Sequence, residues 1–404
     1  MNESTPATSV HRSEEQDGQL ALQTGLQLTA GVRRTEQLGL GDRIAKLCVD
    51  RVDEMQLARR MPADLAAEIA QLDAFRLLVP REFNGLEMTP SQAASVLSDV
   101  ARVNASASWC VMIGATTGSL CGRMVSAGAR EVFAGSGPWG GTYAPMGRAT
   151  AVPGGWELTG SWQWGSGSQN CEWLAGGAVC EDGVIRLCFL PASECEISEN
   201  WDVLGLEGTG SHDWSCEAVV VPEERCIDIF GGEPTQGGPL YQFPLFGLLA
   251  SGVAAVALGI GQASLAAFAE SAARKSVGAR GASLADRGTT QAEFARCSAA
   301  IGSAASYLHA VLESTWDSVA EGVAPTVGQR AEIRLAASHA VAETRAVVES
   351  LYTLSGGSAV RRDSPMRRHL ADISVLTQHL MVGPSTFELV GRVGLGVRVN
   401  LAEL

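Results

Sequence analysis

His379 is the side chain best suited to hold or move a proton, because an imidazole titrates near neutral pH and both ring nitrogens can hydrogen-bond. It closes a segment, Leu351 to His379, in which a glycine pair, a basic stretch and the histidine follow one another. A lone histidine among Leu, Val and Met is often a packed core group, so its sequence neighbours matter. Gly356 and Gly357 break a helix that ends near Leu354, and a glycine turn lets backbone come close to a ligand. A second helix starts at Ser364-Pro365, with proline at its first position, carries Arg367, Arg368 and Asp372, and delivers His379 near its end.

Three further groups of residues bear on chemistry. Within ELTGSWQWGSGSQNCEW, tryptophans stand beside hydroxyls and glycines, a combination that suits the faces and polar edge of a flat ring and equally an ordinary strand and turn with buried tryptophans. Ser211, His212 and Asp213 are adjacent and invite a hydrolase reading. Consecutive strand residues point to opposite faces, however, and no G-x-S-x-G elbow is present, so a triad is excluded. Arg274, Arg280 and Arg287 carry forked guanidinium donors, and each reads on residue type alone as a solvated surface group.

The elements that must position these residues come from a chain of 404 residues, 46% hydrophobic and 18% charged, enough for a large core in two or three layers. A net charge of −14 and a pI near 5.0 exclude nucleic acid or an anionic membrane as the main partner. The ten cysteines are scattered, with neither C-x-x-C nor metal-ligand spacing, which predicts reduced thiols in a cytoplasmic protein and no metal. The polar first residues carry no apolar leader, and residues 1–36 read as a flexible tail. Phe243 to Ala269 has no charged residue over 27 positions, long enough to span a bilayer, but its Ala, Gly and Ser content fits better a helix buried on all sides in an oligomeric bundle.

Apolar residues recur at helical spacing through residues 37–134, where NASASWCVMIGATTGSL begins a helix rich in small residues. Trp109, Met112 and Thr116 on that helix either pack tightly or border a substrate pocket. Residues 135–240 change to short aromatic and β-branched runs between Gly, Pro, Asp and Asn, the pattern of a barrel-like sheet. Residues 241–404 return to helix.

SGGSAV, the R-x-L-A-D-I arrangement from Arg368 to Ile373 and the following Q-H resemble the C-terminal flavin region of the acyl-CoA dehydrogenase superfamily. They are most similar to its branch of two-component flavin monooxygenases. GTYAPMGRA resembles the A-P-x-G-x-A loop of that branch, and Trp164, Ser166 and Gly167 match its G-x-W-x-x-x-S-G strand. WDVLGLEGTGSHDW is similar to its W-D-x-x-G-x-R-x-T-G-S segment, which sets Trp201 at the active site; Glu207 stands where the family usually has arginine. AARKSVG matches R-x-x-F-G, whose arginine contacts flavin phosphate across a subunit interface, which makes Arg274 the candidate and Arg280 or Arg287 its alternatives.

The resemblance implies a mainly α fold with a helical N-domain, a β-barrel middle domain and a C-terminal four-helix bundle. It implies a homotetramer, in which Arg274 and the Gly356-Gly357 turn complete a neighbour's flavin site. The expected activity is hydroxylation, at carbon or nitrogen, of a small and flat, aromatic or heteroaromatic substrate. Reduced flavin (FMNH2 or FADH2) comes from a separate NAD(P)H-dependent flavin reductase, and O2 is the oxidant. This agrees with the absence of a G-x-G-x-x-G nucleotide fingerprint. His379 is the expected catalytic residue, as general base or as hydrogen-bond donor to the activated oxygen. Ser166 holds the flavin edge. The alternative, an acyl-CoA dehydrogenase with bound FAD, needs a carboxylate base, for which only Glu388 stands late enough in the chain. A non-catalytic relative that keeps the fold is the third reading.

Overall fold

The computed structural model describes residues 39–275, 283–400 and 404. The tail expected over residues 1–36, and Arg280, lie outside the described residues. Among the described residues, six α-helices come first: α1 (Gly39–Cys48), α2 (Val52–Ala58), α3 (Ala63–Ala70), α4 (Pro90–Ala101), α5 (Ala105–Ser119) and α6 (Ser126–Val132). The start of α4 is fixed by a reciprocal cap: the Thr89 hydroxyl accepts from Gln92 N at 3.2 Å and the Gln92 side chain accepts from Thr89 N at 3.0 Å. Asn104 caps α5 by accepting from Ala107 N at 3.0 Å. Because α5 is built of small and apolar residues it is buried around almost its whole circumference, against α4, β1 and the long helix α8 described below.

Seven strands follow: β1 (Trp139–Val152), β2 (Gly155–Gly165), β3 (Trp173–Cys180), β4 (Ile185–Pro191), β5 (Glu196–Ser198), β6 (His212–Pro222) and β7 (Cys226–Asp228). They form one sheet in the order β5-β6-β2-β1-β3-β4-β7. β1 and β3 are parallel and the other pairs antiparallel. The expected barrel is corrected to an open sheet. Its edges, β5 and β7, are three residues long and each pairs on one side only, so the ladder never meets itself. Trp162 and Trp214 stack with ring centroids 4.3 Å apart and anchor a core for the sheet.

The chain then returns to helix in α7 (Pro239–Gln242), α8 (Leu245–Arg274), α9 (Gly288–Ala320), α10 (Val327–Ser355), α11 (Pro365–Leu376) and α12 (Ser385–Gly394). α8 is long and apolar enough to cross a membrane, but 78% of its most apolar window is buried against the other helices, α4 and α10 above all. At the end of α10 the backbone reverses at Gly356, φ +61°, a conformation glycine adopts without strain. α11 stops at Leu376, so His379 stands in the turn beyond it rather than on the helix.

Candidate active site

Trp109, on the second turn of α5, is where the two expected catalytic residues meet. Its indole Nε1 donates to Ser166 Oγ at 3.0 Å. Its ring meets the His379 imidazole edge-on, with centroids 5.5 Å apart at 73°. Ser166 arrives from β2, whose pairing with β6 shifts register between Trp162 and Gly165. In that bulge Trp164 adopts φ +64° and leaves its ring 66% exposed. Left-handed backbone costs a non-glycine residue roughly 1–2 kcal/mol, and here it turns an indole face outward beside a buried hydroxyl.

A chain of hydroxyls runs inward from Ser166. Its Oγ lies 2.7 Å from Ser211 Oγ, which lies 2.7 Å from Thr209 Oγ1, and Thr209 Oγ1 donates to Leu206 O at 2.8 Å. Leu206 O also accepts from Thr209 N at 3.1 Å and from the Trp201 indole Nε1 at 3.3 Å. On the other side of the same residue, Leu206 N donates to Asp372 Oδ1 of α11 at 2.6 Å. Ser211, His212 and Asp213 diverge as strand geometry requires. His212 Nδ1 accepts from Trp201 N at 3.1 Å and Asp213 accepts from Asn200 at 2.8 Å.

The electrostatics fix the state of the histidine. Burial pulls the His379 imidazole down to about 4 and Arg334 of α10 adds to the shift. The ring is therefore neutral at physiological pH. Its Nδ1 accepts from Met381 N at 3.3 Å, so the single proton sits on Nε2. Burial pushes the Asp372 carboxyl up to about 6; the Leu206 N–H and Arg368 oppose the shift and Glu207 adds to it. Glu207, in the place of the family's arginine, thus adds negative charge beside Asp372.

The remaining expected residues fall in three places. Met112 packs on α8 at Gly252, where an added Cβ would lie 2.8 Å from Met112 Cγ, and the Thr116 hydroxyl bonds back to Met112 O at 2.8 Å. Both are buried between α5 and α8, while Trp109 alone of the three is seen against Ser166 and His379. Arg274 is exposed and paired with Glu270 at 2.6 Å. Its neighbour Lys275 donates to Ser355 O at 2.6 Å and to Ser358 Oγ at 3.2 Å, which brings the end of α8 to the Gly356-Gly357 turn. Arg287 is exposed just before α9, and Glu388 is exposed on α12. Sequence reasoning missed Thr209, Ser211 and the role of Asp372; all three stood inside motifs quoted above, but their partners are distant in the chain.

Residues 36–132 match the acyl-CoA dehydrogenase N-terminal domain and residues 251–384 the acyl-CoA dehydrogenase C-terminal domain. Over 353 residues, 86% of this chain and 90% of the relative, the sequence is 30% identical to an indole-3-acetate monooxygenase of Pseudomonas putida. The chain belongs to the flavin-dependent monooxygenase branch of the acyl-CoA dehydrogenase superfamily. It is an oxygenase component that works with reduced flavin. A second relative, the flavin-dependent monooxygenase oxygenase subunit HsaA of Mycobacterium tuberculosis, is 27% identical over 80% of this chain and 86% of its own. In fold, the oxygenase superposes on XiaF from a Streptomyces species, solved in complex with FADH2 and glycerol, with a TM-score of 0.85 and 23% identity over 95% of this chain and 98% of that one. The residues present fit a flavin. Trp164 offers an exposed ring face, and Ser166 beside it accepts from the Trp109 indole and shares one hydrogen bond with Ser211, which leaves hydrogen-bonding capacity for a ligand.

Proposed function

We propose that this oxygenase hydroxylates a small aromatic or heteroaromatic substrate, with reduced flavin delivered by a separate NAD(P)H-dependent reductase. The observation that carries the reading is Trp109 bridging Ser166 and a neutral His379, with Glu388, the carboxylate a dehydrogenase would need, exposed on α12.

When bound, reduced flavin supplies the electrons that activate O2, so that one oxygen atom passes to substrate and the other leaves as water. Trp164 provides the ring surface and Ser166 and Gly167 the polar edge. His379 presents Nε2–H, so it acts as a hydrogen-bond donor to an oxygen atom in the cleft rather than as a base, the choice that the Met381 contact supports. Trp109 holds the imidazole edge and helps keep water out. Trp201 borders the substrate side, while Met112 and Thr116 form the packed wall behind Trp109.

The same reading includes domains over residues 37–134, 135–240 and 241–404, the last a four-helix bundle, in a cytoplasmic homotetramer. In it Arg274, Gly356 and Gly357 complete a neighbour's flavin site. The ten free cysteines and the apolar α8 support it. The test supplies the purified chain with enzymatically reduced FMN or FAD, O2 and a panel of indoles and phenols, and, separately, with acyl-CoA thioesters and oxidised flavin. Hydroxylated product in the first arm is expected. Flavin reduction by a thioester in the second would replace this function with dehydrogenation.

A further inference from the structure

Cysteines gather in the sheet, and they divide by what their sulfurs touch. Cys171, Cys180, Cys188, Cys195, Cys216 and Cys226 all lie in or against its core, and none is in a disulfide. The thiols of Cys171, Cys195 and Cys216 approach the backbone carbonyls of Gly167, Pro191 and Leu158 at 3.4, 3.7 and 3.6 Å. Cys226 approaches the Pro222 carbonyl at 3.7 Å in the same way, but it also meets another sulfur: its Sγ lies 3.5 Å from Cys188 Sγ.

The strands place this pair. β4 and β7 are antiparallel, and Cys188 stands directly opposite Cys226 in their register. Opposed residues of an antiparallel pair have Cα atoms about 4.5–5.5 Å apart and a disulfide spans roughly 4.4–6.8 Å, so the bond can form without moving either strand. β7 is an edge of the sheet, three residues long, and pairs with β4 alone. Cys188 is fully buried and Cys226 is partly exposed, so a small oxidant reaches the pair from the Cys226 side. The Cys188 contact and burial hold the Cys226 thiol above its ordinary value, so at neutral pH little thiolate is present and the pair reacts slowly.

We propose that Cys188 and Cys226 are a peroxide-responsive clasp, a disulfide site that fastens the edge strand β7 to β4 when the oxygenase turns over without transferring oxygen. Such turnover releases both atoms of O2 as hydrogen peroxide, which is the oxidant. The Cys226 sulfur attacks one peroxide oxygen, the O–O bond breaks, and one water leaves. The Cys188 sulfur then attacks the Cys226 sulfenic acid, forms the S–S bond and releases the second water. Two thiols and one peroxide thus give one disulfide and two waters, with two electrons passing from the sulfurs to the peroxide. The bond joins positions 38 residues apart, so closing it restricts the unfolded chain and stabilises the fold.

The experiment exposes the full chain to graded hydrogen peroxide and, separately, to reduced FMN and O2 without aromatic substrate, with and without catalase. Remaining thiols are then alkylated, peptides are mapped by mass and a melting curve is recorded. The wild type should lose two hydrogens and yield a peptide linked through Cys188 and Cys226 in both arms, with catalase suppressing the link in the second. Its melting temperature should rise by about 5 °C and fall back with dithiothreitol. Cys226→Ser and Cys188→Ala should each oxidise reduced flavin at the wild-type rate and show neither the link nor the rise. Sulfinic acid at Cys226 without a link, a bond from either cysteine to Cys180, or intact thiols at a peroxide dose that oxidises the exposed Met146 would each overturn the clasp. A link with added peroxide but none during substrate-free turnover would overturn its tie to the oxygenase reaction.

Discussion

Trp109 joins two ends of one site that are built on different principles. At the Ser166 end the contacts are dense: a run of hydroxyls ends at a peptide in left-handed conformation that a buried carboxylate holds by its N–H. At the His379 end a single 3.3 Å bond from Met381 N and an edge-on indole hold the ring, and burial sets its charge. The first arrangement fixes the position of the Ser166 hydroxyl through several partners. The second has a proton to give, on Nε2, and is less tightly held. The sheet side is thus the more tightly held of the two ends and the turn after α11 the looser.

Removing the chemical end should have the largest effect. His379→Ala is expected to lower substrate hydroxylation by on the order of a hundredfold while O2 consumption continues, with hydrogen peroxide replacing product. Its melting temperature should stay close to the wild type. A lowered melting temperature with an unchanged ratio of product to peroxide would make His379 a packing residue and erase the contrast between the two ends.

The joint itself can be split. Trp109→Phe keeps a ring against His379 and removes the donor to Ser166, so the product-to-peroxide ratio should fall by about tenfold with little change in stability. Trp109→Ala removes both contacts and should cost about 3–5 kcal/mol in denaturant unfolding. Equal loss of coupling in the two variants would mean that only the donor to Ser166 matters.

Acid should separate the ends by sign. Folding lowers His379 from 6.5 to about 4, so between those values the unfolded chain binds the proton more strongly; this contribution is full above pH 6.5 and is lost as pH falls toward 4. Asp372 is raised from 3.8 to about 6, so in that window the folded chain holds the proton more strongly; its carboxylate costs stability above pH 6, and that cost is relieved as pH falls. Asp372→Asn should therefore steepen the rise of unfolding free energy from pH 4.5 to 6, and His379→Ala should flatten it. Urea titrations across that range read both slopes, and parallel slopes in the two variants would deny the opposition.

Much of this was legible before any coordinates. Trp164, Ser166, Gly167 and His379 stand in short motifs whose spacing survives in one chain segment, and helix, sheet, helix followed from periodicity. What could not be read is what joins segments. Ser166 meets Ser211 across 45 residues and Leu206 meets Asp372 across 166, and no local pattern encodes such partners. Sheet closure depends on how two short edge strands lie, so a barrel and an open sheet share the same strand signals. α5, apolar around its circumference, gave no face on which to set Trp109 apart from Met112 and Thr116.

The smallest expected effect lies farthest from both ends, at Arg274. Its guanidinium is exposed and paired one turn away with Glu270, an arrangement that contributes little to folding. Arg274→Ala should leave the melting curve unchanged. If the side chain meets a flavin phosphate from a neighbouring subunit, the variant should weaken reduced-flavin binding by about fivefold or less, with the loss shrinking at high salt. Arg287→Ala, which alters the other exposed candidate, serves as the comparison. A salt-sensitive loss in Arg287→Ala but not in Arg274→Ala would move the phosphate contact to the start of α9. No loss in either would leave flavin recognition to Trp164 and the Ser166 chain, and the site would be complete within one subunit.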